Sequence, residues 1–230
     1  MDRIYLCIDL KTFYASVECV ERNLDPFKTN LVVADPSRGK GAICLAISPS
    51  MKSRGIRNRC RIFEIPANIK YITAKPRMSK YIEYSANIYG IYLKYIDKDD
   101  IHVYSIDEAF LDVTRYLKLY KLTPIELAKK IMNDIYNTYG ITATCGIGTN
   151  LYLAKIALDI TAKHVSSNIG YLDEYKYIKE LGNHTPLTDF WSIGHGIEKR
   201  LHKLNIFTMN DISNCDELVL YKEFGINATL

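Results

Sequence analysis

Two adjacent acids, Asp107 and Glu108, stand inside the apolar run His102-Val-Tyr-Ser-Ile-Asp-Glu-Ala-Phe-Leu-Asp112. A strand-forming segment with carboxylates at its middle must hydrate them, pair them or bind a metal, because burying bare charge is costly. A further acid, Asp9, ends a second apolar run, Ile4-Tyr-Leu-Cys-Ile-Asp9. If the two runs are neighbouring strands, three carboxylates converge at one point. Such a point holds divalent cations, and paired cations carry out phosphoryl and nucleotidyl transfer. The competing reading is a solvated turn beside an unrelated strand-end aspartate, and residue type alone leaves both open. Asp112 is read as pairing with a cation or capping a turn.

The remaining pattern is mixed strand and helix. Residues 2–9, 31–34, 42–46, 69–73, 141–147 and 170–172 read as strands, and 101–106 with 109–113 as a hairpin whose bend is Asp107-Glu108. Asp-Glu is a poor tight turn, and a local rule broken in this way marks a functional site. Thr12 is placed to cap a helix carrying Phe13, Val17, Val20 and Leu24, and Asp35–Gly41 reads as a loop. A helical turn follows Pro49, and Pro76 is placed in the first turn of a long helix. That helix has Met78, Tyr81, Ile82, Ser85, Ile88, Tyr89, Tyr92 and Leu93 inward. Thr123-Pro-Ile-Glu126 is a capping box, with Ile125, Ala128, Ile131, Met132 and Ile135 inward and Gly140 as the stop. Asn150 caps a helix through Ala162, and another runs from about Glu174 to Gly182. The order predicts an α+β core, not a doubly wound parallel sheet.

Hydrophobic residues make up 48% of the 230-residue chain, enough for a packed core, which excludes disorder. The net charge of +4 says little about partners, and its distribution says more. Cys7, Cys19, Cys44, Cys60, Cys145 and Cys215 include no CxxC pair. They read as small apolar residues of a cytosolic, reduced protein, not as a disulfide framework or zinc site. No apolar run reaches the roughly 18 residues a membrane helix needs, and no signal peptide is visible. Phe224-Gly-Ile-Asn-Ala-Thr-Leu230 ends without a polar tail, so a fragment of a longer protein is expected.

Arg38, Lys40, Lys52, Arg54, Arg57, Arg59 and Arg61 fall in one acid-free stretch. These like charges repel unless they are solvated in a mobile loop or face an anion, and phosphate supplies one. Lys163 reads as a helix-end cap or a phosphate ligand. Residues 189–206 contain a short helix, a Gly-containing turn and a basic helix with Ile197, Leu201 and Leu204 inward. That is a helix–hairpin–helix, whose backbone amides can cradle phosphate, or else an ordinary helical pair. Lys199, Arg200, His202 and Lys203 add charge to it. Phe13 and Tyr14 read as core packing or as a floor for a nucleotide sugar.

Together these blocks resemble the Y-family (translesion) DNA polymerases, most closely their UmuC-like branch. The resemblance covers nearly the whole chain. Asp9-Leu-Lys-Thr-Phe-Tyr-Ala-Ser-Val-Glu18 is similar to the first palm motif, and Ala46-Ile-Ser-Pro-Ser-Met-Lys-Ser-Arg-Gly-Ile56 to the fingers motif. Tyr104–Asp112 is similar to the second palm motif, and Cys145–Ala157 with Ala162-Lys163 to the third. Trp191-Ser-Ile-Gly194 resembles the thumb hairpin. In three places the chain departs from the family. Pro49 and Lys52 stand where many relatives have Tyr and Arg, which gives up the bidentate grip of Arg. Ser192 replaces the first Gly of the thumb turn. Relatives also continue past residue 230 into more thumb and a little-finger domain, so weak or absent activity is expected of this chain alone.

The resemblance implies a right-hand-like polymerase: palm at 1–23 and 76–164, small fingers at 24–75, and a partial helical thumb at 165–230 with the helix–hairpin–helix at about 188–206. It implies catalytic carboxylates Asp9, Asp107 and Glu108 that bind two Mg²⁺ ions, with Mn²⁺ as a substitute and the Leu10 carbonyl as a further ligand. Thr12, Phe13, Tyr14, Lys52 and Lys163 would bind the nucleotide, with Tyr14 as the steric gate against a ribose 2′-hydroxyl. Ile193, Gly194, Gly196, Lys199 and Arg200 would grip DNA. The implied partners are primer–template DNA and deoxynucleoside triphosphates, with a sliding clamp and a recombinase filament for the full protein and no membrane. The implied role is error-prone lesion bypass in DNA repair and SOS mutagenesis. Two rivals remain. A nucleotide cyclase uses similar paired acids but needs no DNA-gripping thumb. A non-catalytic relative that binds DNA or a repair partner needs no intact carboxylates.

Overall fold

The computed structural model describes residues 3–225, and the sequence ending at 226–230 lies outside them. The chain forms two compact units, one of Cys7–Thr144 and one of the residues up to Leu6 together with those from Cys145 onward. The strands are β1 (Tyr5–Leu10), β2 (Leu31–Val33), β3 (Ala46–Ile47), β4 (Ile72–Ala74), β5 (Ile101–Val103), β6 (Glu108–Asp112), β7 (Ala143–Gly148) and β8 (Ile169–Leu172). The helices are α1 (Phe13–Val20), α2 (Pro49–Ser53), α3 (Met78–Tyr92), α4 (Thr114–Tyr120), α5 (Pro124–Tyr139) and α6 (Leu151–Ile156), then α7 (Glu174–Lys176), α8 (His195–Lys203), α9 (Met209–Ser213) and α10 (Glu217–Phe224). This is an α+β fold.

In the Cys7–Thr144 unit, β5 and β6 pair antiparallel with His102 opposite Phe110, and β6 lies beside β1. The amide of Lys11, just past β1, donates to the Thr142 carbonyl just before β7 at 2.8 Å. A second, three-stranded sheet has the order β3-β2-β4, with β2–β3 antiparallel and β2–β4 parallel. Its own core is Val32, Ala34, Cys44, Ile47, Met51, Cys60 and Ile65. Thr123 and Glu126 form the expected capping box of α5, and Gly140 ends that helix in the left-handed region at φ 65°. Ser48 caps α2 by accepting from the Met51 amide.

In the other unit β7 and β8 run parallel, with Cys145 opposite Ile169. Asn150 caps α6 by accepting from the Leu153 amide at 2.8 Å. The chain then widens into a π-helical turn, Ala157–Thr161, and closes through a 3₁₀ turn, Ala162–His164. Gly146 and Gly148 let α6 lie directly on β7. A Cβ at Gly148 would stand 2.2 Å from the Ala154 nitrogen. Leu153, Ile156, Leu172, Leu187, Phe190 and Leu201 form this unit's core.

Several expectations need correction. Thr12 precedes α1 but makes no capping hydrogen bond; it sits in the left-handed region, and its hydroxyl pairs with Ser16 instead. Leu24 lies past the end of α1. Residues 36–41 are a 3₁₀ helix, not a loop. The expected strand at 42–46 is only a bridge, Ile43 opposite Arg61, before β3 begins at Ala46. Pro76 lies outside α3, which starts at Met78. Met78, Ile82 and Leu93 are exposed, and Ile91 takes an inner position, because α3 is covered on a narrower stripe than its apolar content suggested. Ile125 is likewise exposed, and Leu127 is buried in its place.

Candidate active site

The loop between β5 and β6 is four residues long, Tyr104–Asp107, so Asp107-Glu108 is not a two-residue turn. The amides of Tyr104 and Ser105 both donate to the Glu108 carbonyl at 3.0 Å, which closes the loop tightly. The Ser105 hydroxyl donates to Asp107 Oδ1 at 2.8 Å and accepts from the Asp107 amide at 3.3 Å. Asp107 is thereby fixed in backbone and side chain. Glu108 opens β6, and its Oε1 accepts from the Cys7 thiol at 3.2 Å.

The link between the two acidic segments is a backbone bond. The Leu10 amide donates to the Asp107 carbonyl at 2.9 Å. Asp9 and Leu10 therefore lie beside Asp107, as adjacency of the two apolar runs required. Asp9, Asp107 and Glu108 are all partly exposed. Among the described residues no three His, Cys, Asp or Glu side chains close into a ready-made cage. The donor set still fits a small hard cation. It offers only oxygens from these side chains, Asp107 forms no ion pair among the described residues, and Mg²⁺ is usually held by one or two carboxylates plus waters and substrate phosphates.

The turn out of β1 delivers Thr12, Phe13 and Tyr14. Phe13 is buried and Tyr14 half-buried. Burial, and then the negative charge of Asp107, raise the Tyr14 phenol above its ordinary pKa. The Tyr14 ring stacks on Tyr81 of α3 at 4.3 Å between centroids and 13° between planes. One turn further along α1, Glu18 is wholly buried, and Tyr81, Arg77 and Arg22 all donate to it. Tyr14 and Glu18 on α1 thus face Tyr81 on α3 and Arg77 just before it, each pair four residues apart. Sequence reading left Glu18 in its motif without a role.

Lys52 is exposed on α2. In the same unit, an open depression of about 900 Å³ is lined by Arg38, Arg61, Lys75, Ile43 and Leu45 among others. Lys163 belongs to the other unit, where its Nζ lies 2.6 Å from Asp159 Oδ1, while Lys155 meets Asp159 Oδ2 at 3.1 Å. Ile193, Gly194, Gly196, Lys199 and Arg200 also lie there, at the start of α8 and along it. Lys199 is exposed, whereas Arg200 pairs with Glu223 at 2.8 Å and lies over the Phe224 ring. Ser192 holds φ 72°, a conformation that glycine adopts at less cost. No helix among the described residues is long and apolar enough to cross a membrane.

The impB/mucB/samB family model matches residues 8–159. UvrX of Bacillus subtilis is 34% identical over 222 residues, covering 96% of this chain and 52% of that protein. DNA polymerase IV 2 of the same organism is 33% identical over 227 residues, covering 98% of this chain and 54% of its own. The chain spans about half the length of these curated relatives. Among solved structures, DinB from Sulfolobus solfataricus superposes with a TM-score of 0.78 at 28% identity, over 98% of this chain and 64% of that one. An insertion ternary complex of Dbh DNA polymerase gives a TM-score of 0.83 at 28% identity, with the same two coverages.

Proposed function

Because this chain belongs to the impB/mucB/samB family of Y-family proteins, we propose that it carries the nucleotidyl-transfer centre of a template-directed, lesion-bypass DNA polymerase that serves DNA repair and SOS mutagenesis. The observation that carries this reading is the 2.9 Å bond from the Leu10 amide to the Asp107 carbonyl, which sets Asp9 beside Asp107-Glu108. The family's palm would comprise 1–23 and 76–164, its fingers 24–75 and its thumb 165–230.

Asp9, Asp107, Glu108 and the Leu10 carbonyl would hold two Mg²⁺ ions, with Mn²⁺ as a substitute. When bound, the ions lower the pKa of the primer hydroxyl and neutralise charge on the triphosphate. Phe13 would lie under the nucleotide, and the Tyr14 ring would exclude a ribose 2′-hydroxyl. Tyr81 supports this role by stacking on the Tyr14 face. Thr12, Lys52 and Lys163 would hold the triphosphate, for which Lys163 must exchange its contact with Asp159 for phosphate. Ile193, Gly194, Gly196, Lys199 and Arg200 would meet duplex phosphates, which positions DNA without reading sequence. The partners would be primer–template DNA and deoxynucleoside triphosphates, with a sliding clamp and a recombinase filament in the cell. The six free cysteines favour a reducing, cytoplasmic setting.

The test is single-nucleotide insertion in Mg²⁺ on four primer–templates that differ in the templating base. Insertion that follows the template supports the reading. Cyclic nucleotide formation from the free triphosphate points to a cyclase, and DNA binding with no insertion points to a non-catalytic relative.

A further inference from the structure

We infer that Cys7 is a positioning residue for Glu108, its thiol donating behind the carboxylate that faces the proposed metal site; this rests on the metal-site reading above. Cys7 and Asp9 are two residues apart on β1, so their side chains share one face of the strand. That face carries the thiol to Glu108 Oε1, at 3.2 Å, from the adjoining strand β6. Cys7 has no exposed surface, so the contact lies on the water-excluded side of the acid. Toward a carboxylate oxygen a thiol acts as donor, and it brings no charge. A lysine or arginine at this place would compete with a cation for Glu108. The thiol instead engages one oxygen, restrains the side-chain torsions and adds no competing positive charge of its own.

A hydrogen bond behind a metal ligand orients it, and losing one typically costs about 10- to 100-fold in metal affinity. The S–H group is a weak donor, so an effect of about 10-fold, at the low end, is expected. The experiment is Mn²⁺ binding to the 230-residue chain at low ionic strength, read by the loss of the free-ion electron paramagnetic resonance signal. Wild type, Cys7→Ala, Cys7→Val, Cys7→Ser and Asp107→Ala are compared, with circular dichroism to verify folding. Both apolar variants should bind Mn²⁺ about 10-fold more weakly, and Cys7→Ser, which keeps a donor, should recover most of the loss. Val fills the site if Ala disturbs packing. Unchanged binding in the apolar variants overturns the inference while the metal reading stands. A loss that Ser fails to recover assigns Cys7 to packing and also overturns it. No Mn²⁺ uptake by wild type, or uptake that Asp107→Ala leaves intact, overturns the metal-site reading and this inference with it.

Discussion

Glu18 and Arg77 meet as a two-pronged ion pair: Arg77 Nε and Nη2 each donate to a different oxygen of Glu18, both at 2.9 Å. The carboxylate has no exposed side-chain surface, and the guanidinium is 40% exposed. The pair ties α1, which carries Phe13 and Tyr14, to the start of α3. Burial pushes the Glu18 pKa up, but hydrogen bonds from Arg77, Arg22 and Tyr81 outweigh it and hold the group below the ordinary carboxylate range.

Removing this charge should be expensive. Glu18→Gln leaves Arg77 and Arg22 facing a neutral amide, and breaking a buried pair costs about 3–5 kcal/mol. The folded pKa is depressed, so the stability from Glu18 is fully present above its unfolded pKa of about 4.3 and is lost as pH falls through the folded value. Urea unfolding over a pH series should show a lower plateau and a flatter acid limb for Glu18→Gln. Superimposable curves for variant and wild type contradict the assignment.

If Tyr14 is the proposed steric gate, the same two helices set sugar choice. Tyr14→Ala should raise ribonucleotide incorporation by removing the ring itself. Tyr81→Leu should raise it less, by removing the stacked face that holds the ring. The measurement is the ratio of kcat/KM for deoxy- and ribonucleotide with each variant. An unchanged ratio in Tyr14→Ala removes Tyr14 from the gate.

Close approach of helix and strand makes a third prediction. Gly148→Ala puts a methyl group 2.2 Å from the Ala154 nitrogen and 2.6 Å from the Leu153 carbonyl carbon, both backbone atoms. Side chains cannot rotate away from such a clash, so a loss of about 1–3 kcal/mol or more is expected. Gly194→Ala, where a methyl group meets nothing within 4 Å, is the control. Equal unfolding midpoints for the two variants would count against the packing described.

What was legible in the sequence was what local chemistry decides. The Thr123–Glu126 box, the Asn150 cap and the Gly140 stop each depend on a few neighbouring residues. The acid pair was legible because carboxylates are rare in an apolar run. Burial was less legible. Ile82 is more apolar than Tyr81, yet Tyr81 is buried and Ile82 is 56% exposed. Tyr81 gains a partner in Glu18, which lies 63 residues away in sequence. Glu18 looks like any helical acid until Arg77, 59 residues on, covers it. In the site, Ser105 and Cys7 carry no signal of their own. Their contacts with Asp107 and Glu108 come from a four-residue loop and from strand adjacency, both products of tertiary structure. The π-helical turn at Ala157–Thr161 lay equally beyond a reading based on the 3.6-residue period.

The most direct test of the central claim is single-turnover insertion in Mg²⁺, with this chain in excess over primer–template DNA, comparing wild type with Asp107→Ala. The wild-type chain should insert the templated deoxynucleotide, if slowly. Asp107→Ala should bind DNA alike and insert at least about 100-fold more slowly, a loss of about 2.7 kcal/mol in transition-state stabilisation. Equal insertion by the two would contradict the assignment of Asp9, Asp107 and Glu108 as the catalytic centre.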